Sequence, residues 1–153
     1  VELYPEGITA ENAEEILAKF DVIVDASDNF PTRYLLSDTC MKLGKPDVYG
    51  AICEFAGQVT VFASDGPCLR CLCPEAKDPS GNPNSAAYGV LGVIPGMIGC
   101  MQAAEVLKLL LGKGEPLIGK MLFIDAKTWS TDLIEVPVHP QCSCHTHTKV
   151  HRT

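Results

Sequence analysis

Asp21-Val22-Ile23-Val24-Asp25-Ala26-Ser27-Asp28-Asn29-Phe30-Pro31-Thr32-Arg33 is the stretch of this chain that reads most directly as architecture. Residues 21–26 are a short apolar run closed off by polar neighbours, the pattern of a buried parallel strand. Asp28 and Asn29 supply a turn. Pro31 then suits the first turn of a helix, where its missing N–H has no partner to lose. That helix carries Tyr34, Leu35, Leu36, Cys40, Met41 and Leu43, with Gly44 as its C-terminal stop. A strand feeding a helix in this way implies a crossover to a parallel neighbour. The expected fold class is α/β.

Working outward, Thr9 is placed to cap a helix from Ala10 to Ala18, striped by Ile16, Leu17 and Phe20. Val48 to Phe55 and Gln58 to Ala63 read as two strands joined at Ala56-Gly57 in a hairpin. Ser64 to Ala87 carries Pro67, Pro74, Pro79, Pro83, Gly66 and Gly81 and reads as a long loop, a class that is usually functional. A helix from Val93 to Leu111 follows, then strands at Lys120 to Ala126 and Asp132 to Val138. The order reads βαβαββ, a long loop, then αββ, with a parallel first part and a mixed or antiparallel second part. Residues 145–153 read as a flexible tail.

The 153 residues fit one domain, and 46% apolar composition is ample for a core. A net charge of −7 with no basic cluster argues against a nucleic-acid or anionic-membrane surface. The run from Val90 to Leu111 is interrupted by Gly92, Pro95, Gly96, Gly99, Gln102, Glu105 and Lys108, which reads as a buried helix and not a membrane span. The first residues, Val1-Glu2-Leu3-Tyr4-Pro5, have neither a signal peptide's pattern nor an initiator methionine, and the expected compartment is the cytoplasm.

Eight cysteines fall at 40, 53, 68, 71, 73, 100, 142 and 144. Cys40, Cys53 and Cys100 lie in apolar segments and read as core residues. Cys68-Leu69-Arg70-Cys71 is a C-x-x-C knuckle whose thiolates can face one ion, and Cys142-Ser143-Cys144-His145 can complete the tetrahedron zinc prefers. Cys68, Cys71, Cys142 and Cys144 are the preferred set, while Cys142 with His145 restores the ordinary x-x spacing and stays open as the alternative. Four protein ligands make a closed, structural site.

Beyond the carboxyl end of the strand at 21–26, where open α/β sheets bind ligands, Asp28 can hold Mg²⁺ on a nucleotide phosphate. Arg33, a turn into the helix, can orient the loop or steady a phosphate, and Asp28 or Asn29 can cap the helix. Gly89, Gly92, Gly96 and Gly99 form no G-x-G-x-x-G fingerprint, and no Walker loop occurs. Their spacing instead reads as room for close packing on a neighbouring sheet or subunit.

Asp25 to Arg33, Gly50-Ala51-Ile52, Gly57 to Phe62, Cys68-x-x-Cys71, Gly89 to Gly96 and the closing cysteine pair together resemble the MoeB/ThiF family. The resemblance implies the C-terminal part of a Rossmann-like, ubiquitin-activating-type fold. It implies ATP-dependent adenylylation of the C-terminal glycine of a ubiquitin-like sulfur-carrier protein, in molybdenum-cofactor, thiamine or related sulfur-transfer pathways. Asp28 then matches the Mg²⁺/ATP aspartate, with Asn29 beside it at the cofactor and Arg33 as a second catalytic position. The cysteine pairs match a structural Zn²⁺ site, residues 64–87 match a crossover loop over the carrier's Gly-Gly tail, and members commonly form homodimers.

Three departures accompany the resemblance. The family's N-terminal glycine-rich nucleotide-binding unit has no counterpart within residues 1–153, so the chain reads as a domain fragment. Ser85 stands where many relatives carry a loop cysteine, and the closing pair is C-x-C. Two other readings remain beside the enzyme: a non-catalytic zinc-stabilised module that dimerises or binds a ubiquitin-like protein, and a thiol-rich metal or redox sensor.

Overall fold

Local sequence explains most of the elements. The first helix, α1 (Ala13–Ala18), starts later than its apolar stripe allows: the Thr9 amide donates to Asn12 Oδ1 at 2.8 Å, holding residues 9–12 in turns ahead of it. Asn12, not Thr9, occupies the N-cap position. The apolar run then forms β1 (Ile23–Asp25), and α2 (Phe30–Leu43) carries the chain back to its parallel neighbour β2 (Asp47–Cys53). Gly44 stops α2 in the left-handed conformation, φ 66°, with its amide donating to Met41 O. A tight hairpin leads to β3 (Ala56–Phe62). The computed structural model describes residues 1–74 and 89–146. Within them follow α3 (Leu69–Leu72), α4 (Val93–Leu111), β4 (Lys120–Asp125), β5 (Ser130–Glu135) and α5 (Ser143–Thr146).

The strands form one five-stranded sheet in the order β1-β2-β3-β4-β5, parallel at β1-β2 and antiparallel elsewhere. The expected parallel part and antiparallel part are thus one continuous mixed sheet. No strand precedes α1 among the described residues, so the order opens αβαββ, one strand short of the expected βαβαββ. The described part of the crossover loop contains α3, whereas residues 75–87, Ser85 included, lie outside the described residues.

Helices pack on both faces of the sheet around β1–β3, while β5 is exposed throughout. Leu17 of α1 and Leu36 and Cys40 of α2 pack on Ile23, while Tyr49 and Phe62 meet Leu69 of α3. On the other face Ile94 and Ile98 of α4 pack on Val59. Each such side chain, fully buried, stabilises the fold by roughly 1.5–3 kcal/mol. Gln102, in the middle of α4, donates from Nε2 to Asp25 O at 2.8 Å and Val48 O at 3.0 Å. Glu105 pairs with Lys108 and accepts from the Leu117 amide.

Three expectations change here. The glycines that admit the helix are in the sheet: a Cβ on Gly50 would sit 2.5 Å from the Gln102 side chain, and one on Gly57 2.5 Å from Ile98. A Cβ at Gly92, Gly96 or Gly99 would meet nothing within 4 Å, so those residues do not serve packing on the sheet. The 19-residue α4 is apolar enough by length and composition to cross a membrane, and it is not the buried helix expected. It lies on the sheet through Ile94, Ile98, Gln102 and Glu105 and leaves Val93, Leu107 and Leu110 exposed. Of the three cysteines expected in the core, Cys40 is buried but Cys53 and Cys100 are exposed. Cys53 ends its strand at the hairpin, and Cys100 sits on the outer face of α4.

Candidate functional site

The turn from β1 to α2 is held at three points. Asp25 Oδ1 accepts from the Ser27 amide at 2.8 Å and its hydroxyl at 2.7 Å, which ends the strand in a tight side-chain turn. Asn29 is the N-cap of α2, its Oδ1 accepting from the Thr32 amide at 2.9 Å. Arg33 reaches back from the first turn and donates from Nη2 to Ser27 O at 2.6 Å, its guanidinium 4.8 Å from the Tyr49 ring centre. Arg33 is buried and braces the loop. Asp28 takes no part in the cap and presents an exposed carboxylate at the carboxyl end of β1, with Asn29 Nδ2 donating to its Oδ1 at 3.2 Å. The cap and the candidate metal ligand are therefore different residues.

Behind this turn lie two fully buried acids, Asp25 and Asp47, on adjacent parallel strands. Asp25 Oδ2 and both oxygens of Asp47 have no hydrogen-bond partner. Burial, with Asp25 adding to it, holds the Asp47 carboxyl well above the usual carboxylate range, while Arg33 pulls the other way.

The second constellation is assembled from distant segments. Cys68 is the N-cap of α3 and Cys71 lies within it, with their sulfurs 3.8 Å apart, and Cys142 Sγ lies 3.4 Å from Cys68 Sγ. A ring nitrogen of His145 joins these three sulfurs, all four donor atoms falling within 4.8 Å of one another. His145 Nε2 is buried without a hydrogen-bond partner. A tetrahedral ion with metal–sulfur bonds of about 2.3 Å sets sulfur atoms about 3.8 Å apart, so the donor set fits zinc. An imidazole with a buried, unpartnered nitrogen set against three thiols is an arrangement such an ion would satisfy.

Cys144, the fourth residue of the preferred set, is not among those four donors, although its thiol also reaches Cys68. Its Sγ is 3.4 Å from Asp38 Oδ1, and burial together with Asp38 pushes its thiol up to about 11. Asp38 is in turn gripped by Arg70, from Nε at 2.8 and 3.2 Å and from Nη2 at 2.8 Å. The Arg70 guanidinium lies 4.7 Å from the Tyr34 ring centre, and the Tyr34 hydroxyl donates to Cys73 O at 2.8 Å.

A model of the ThiF family matches residues 1–146. The chain belongs to the ThiF family. It is 50% identical over 142 residues to the SAMP-activating enzyme E1 of Haloferax volcanii, covering 93% of this chain and 53% of that protein. It is also 50% identical over 148 residues to the sulfur carrier protein adenylyltransferase of Thermus thermophilus, covering 93% of this chain and 55% of that one. This ThiF-family chain thus spans about half the length of the curated relatives it matches. Its fold is similar to that of E. coli MccB, crystallised with MccA-N7isoASN, at a TM-score of 0.70 and 17% identity, over 88% of this chain and 44% of MccB.

Sequence reasoning about this family member missed the Asp38–Arg70 pair and the buried Asp47. Asp38 and Arg70 are 32 residues apart and no spacing rule connects them. The x-x spacing from Cys142 to His145 was the available signal that His145 meets the three sulfurs.

Proposed function

We propose that this chain is the carrier-recognising, metal-stabilised part of an adenylyltransferase that activates the C-terminal glycine of a ubiquitin-like sulfur-carrier protein. The observation that carries the reading is the exposed Asp28 carboxylate at the carboxyl end of β1, on a turn whose other polar groups are committed to holding it. The names of its half-identical relatives supply the carrier and the reaction class.

Bound Mg²⁺ and ATP supply an electrophilic α-phosphorus to the carrier's C-terminal carboxylate, with pyrophosphate leaving. Asp28 is placed to hold the magnesium ion through oxygen, as that ion requires. Asn29 steadies Asp28 from Nδ2, and Arg33 fixes the loop through Ser27 O. The contribution of these residues is positioning and charge stabilisation. Zinc, held by Cys68 and Cys71 and by the segment 142–145, would tie the crossover loop to the C-terminal segment and take no part in the chemistry. A second copy fits the exposed, uncharged face of α4, where Val93, Gly96, Gly99, Cys100, Leu107 and Leu110 line up. Sedimentation of the full-length protein as a dimer checks this.

The test is carrier-dependent ATP–pyrophosphate exchange by the full-length enzyme. Asp28→Ala should lower it by about 10²–10³-fold with the fold intact; unchanged exchange would refute the assignment. The 153-residue chain alone is expected to give no exchange, since no glycine-rich phosphate cradle occurs in it. That same observation favours a second reading, a non-catalytic module that binds a ubiquitin-like protein. A full-length protein that binds a carrier yet exchanges nothing would establish it.

A further inference from the structure

The metal site as described leaves one thiol over, and the structure shows what holds it aside. We infer that Asp38, locked by Arg70, is a positioning residue that keeps Cys144 off the metal and so makes His145 the fourth ligand of a Cys₃His site. The inference rests on the zinc reading above and concerns how this chain completes its own site.

Three observations converge on it. First, residues two apart at a helix start point to different sides, whereas residues three apart share a side. Cys142 and His145 are three apart, and the His145 amide donates to Cys142 O at 3.1 Å, closing that turn. Cys142 and Cys144 are only two apart, so Cys144 leaves this turn on another side, at the edge of the cluster, where it meets both Cys68 and Asp38. Second, what Cys144 meets is a carboxylate with no freedom to swing away. Arg70 grips Asp38 through both oxygens in a planar fork and is itself stacked on Tyr34. The Cys144 thiol donates to Asp38 Oδ1 at 3.4 Å. Third, the His145 Nε2 atom is buried and unpartnered on a ring that brings a nitrogen within 4.8 Å of the three sulfurs, a cost that an ion or a donor at that point would remove.

Arg70 lies inside the C-x-x-C knuckle and Asp38 on α2, so one ion pair links the first ligand pair, α2 and the segment carrying the second pair. Cys144 remains near Cys68 and is the natural competitor for the fourth position. Without the Asp38 acceptor, nothing in this arrangement would keep its sulfur from displacing the imidazole.

Cobalt(II) in place of zinc reads this directly, because its d–d and sulfur-to-metal charge-transfer bands report the number of thiolates. The full chain should take up one Co²⁺ with bands of a three-sulfur, one-nitrogen set. Cys144→Ser should leave band positions unchanged and affinity within about twofold, while His145→Ala weakens binding by about tenfold or more. Asp38→Ala should shift the bands to those of four thiolates, and the shift should vanish in the Asp38→Ala/Cys144→Ser double variant. Bands that move with Cys144→Ser but not with His145→Ala would overturn the ligand choice. An Asp38→Ala spectrum identical to wild type would overturn the positioning role.

Alkylation of the zinc-loaded wild-type chain, read by mass spectrometry under native conditions, serves if Asp38→Ala fails to fold. Cys144 should react while Cys68, Cys71 and Cys142 are protected, and equal protection of Cys144 would refute the inference. Failure of the wild-type chain to bind Co²⁺ or Zn²⁺ at all would instead overturn the metal reading and this inference with it.

Discussion

The β1–α2 turn and the cysteine–histidine cluster solve the same problem, holding polar groups in a fixed geometry, by opposite means. The turn is built almost entirely from residues 25–33, whose hydrogen bonds run to near neighbours: Asp25 Oδ1 to Ser27, Asn29 to Thr32, Arg33 to Ser27 O. The cluster brings together segments 74 residues apart, and its donor atoms satisfy one another poorly. Short-range hydrogen bonds cost little chain entropy to form, whereas a long loop must be closed before its contacts contribute. The turn is therefore a property of the local sequence, and the cluster is a property of the folded chain.

The largest test of that contrast is metal removal. Chelation, or Cys68→Ser, should cost several kcal/mol out of a domain's usual 5–15, since structural zinc binding is itself folding free energy. Hydrogen exchange should show amides of α3 and α5 losing protection while those of residues 27–33 keep theirs. Equal loss in both places would mean that the turn depends on the cluster and would break the contrast.

Arg33→Ala removes a buried, charged hydrogen-bond donor and its stacking on Tyr49. A loss of roughly 1.5–3 kcal/mol is expected, measured by urea unfolding. The variant should also lower exchange in the full-length enzyme by loosening the Asp28 loop, with Lys at this position a poor rescue because it has no planar fork. Full activity in Arg33→Ala would show that the loop holds without its brace.

Asp47 sharpens the contrast from the other side, as a buried acid that neither region satisfies. Its folded pKa is raised, chiefly by burial, so the folded state holds a proton that the unfolded state gives up above the ordinary carboxylate range. Stability must then fall as pH rises from about 4 toward the folded pKa. Asp47→Asn should flatten that slope and raise stability near neutral pH by about 1–2 kcal/mol. Denaturation midpoints measured across pH 4–8 check this, and an unchanged slope would mean that another group sets it.

The same division accounts for what could be read before folding. The strand, Pro31 in the first turn of α2, the Gly44 stop and α4 over Val93–Leu111 all depend on neighbours within a few residues, and all appear where patterning places them. Gly50 and Gly57 acquire their reason only when Gln102 and Ile98 cross them, some forty or more residues later. Cys53 and Cys100 look like core residues because their segments are apolar, but an exposed face is decided by what packs opposite. The fourth donor stays open in the sequence for the same cause: the spacing of Cys142, Cys144 and His145 permits two sets, and the Asp38 carboxylate that Cys144 meets lies more than a hundred residues earlier.

The smallest expected effect separates two adjacent residues within the turn. Asn29→Ala removes the N-cap acceptor of α2 and should cost about 1 kcal/mol of stability. Asp28 is exposed and caps nothing, so Asp28→Ala should change stability by no more than about 0.5 kcal/mol. In carrier-dependent exchange by the full-length enzyme the order should reverse, Asp28→Ala being the severe variant and Asn29→Ala the mild one. Asn29→Ser, which keeps a capping oxygen, should recover the stability lost in Asn29→Ala and little of any lost activity, because Ser is too short to reach Asp28 as Asn29 Nδ2 does. If both variants lost stability alike, the cap would be shared between the two side chains. The locally built turn would then present no carboxylate free for a metal ion.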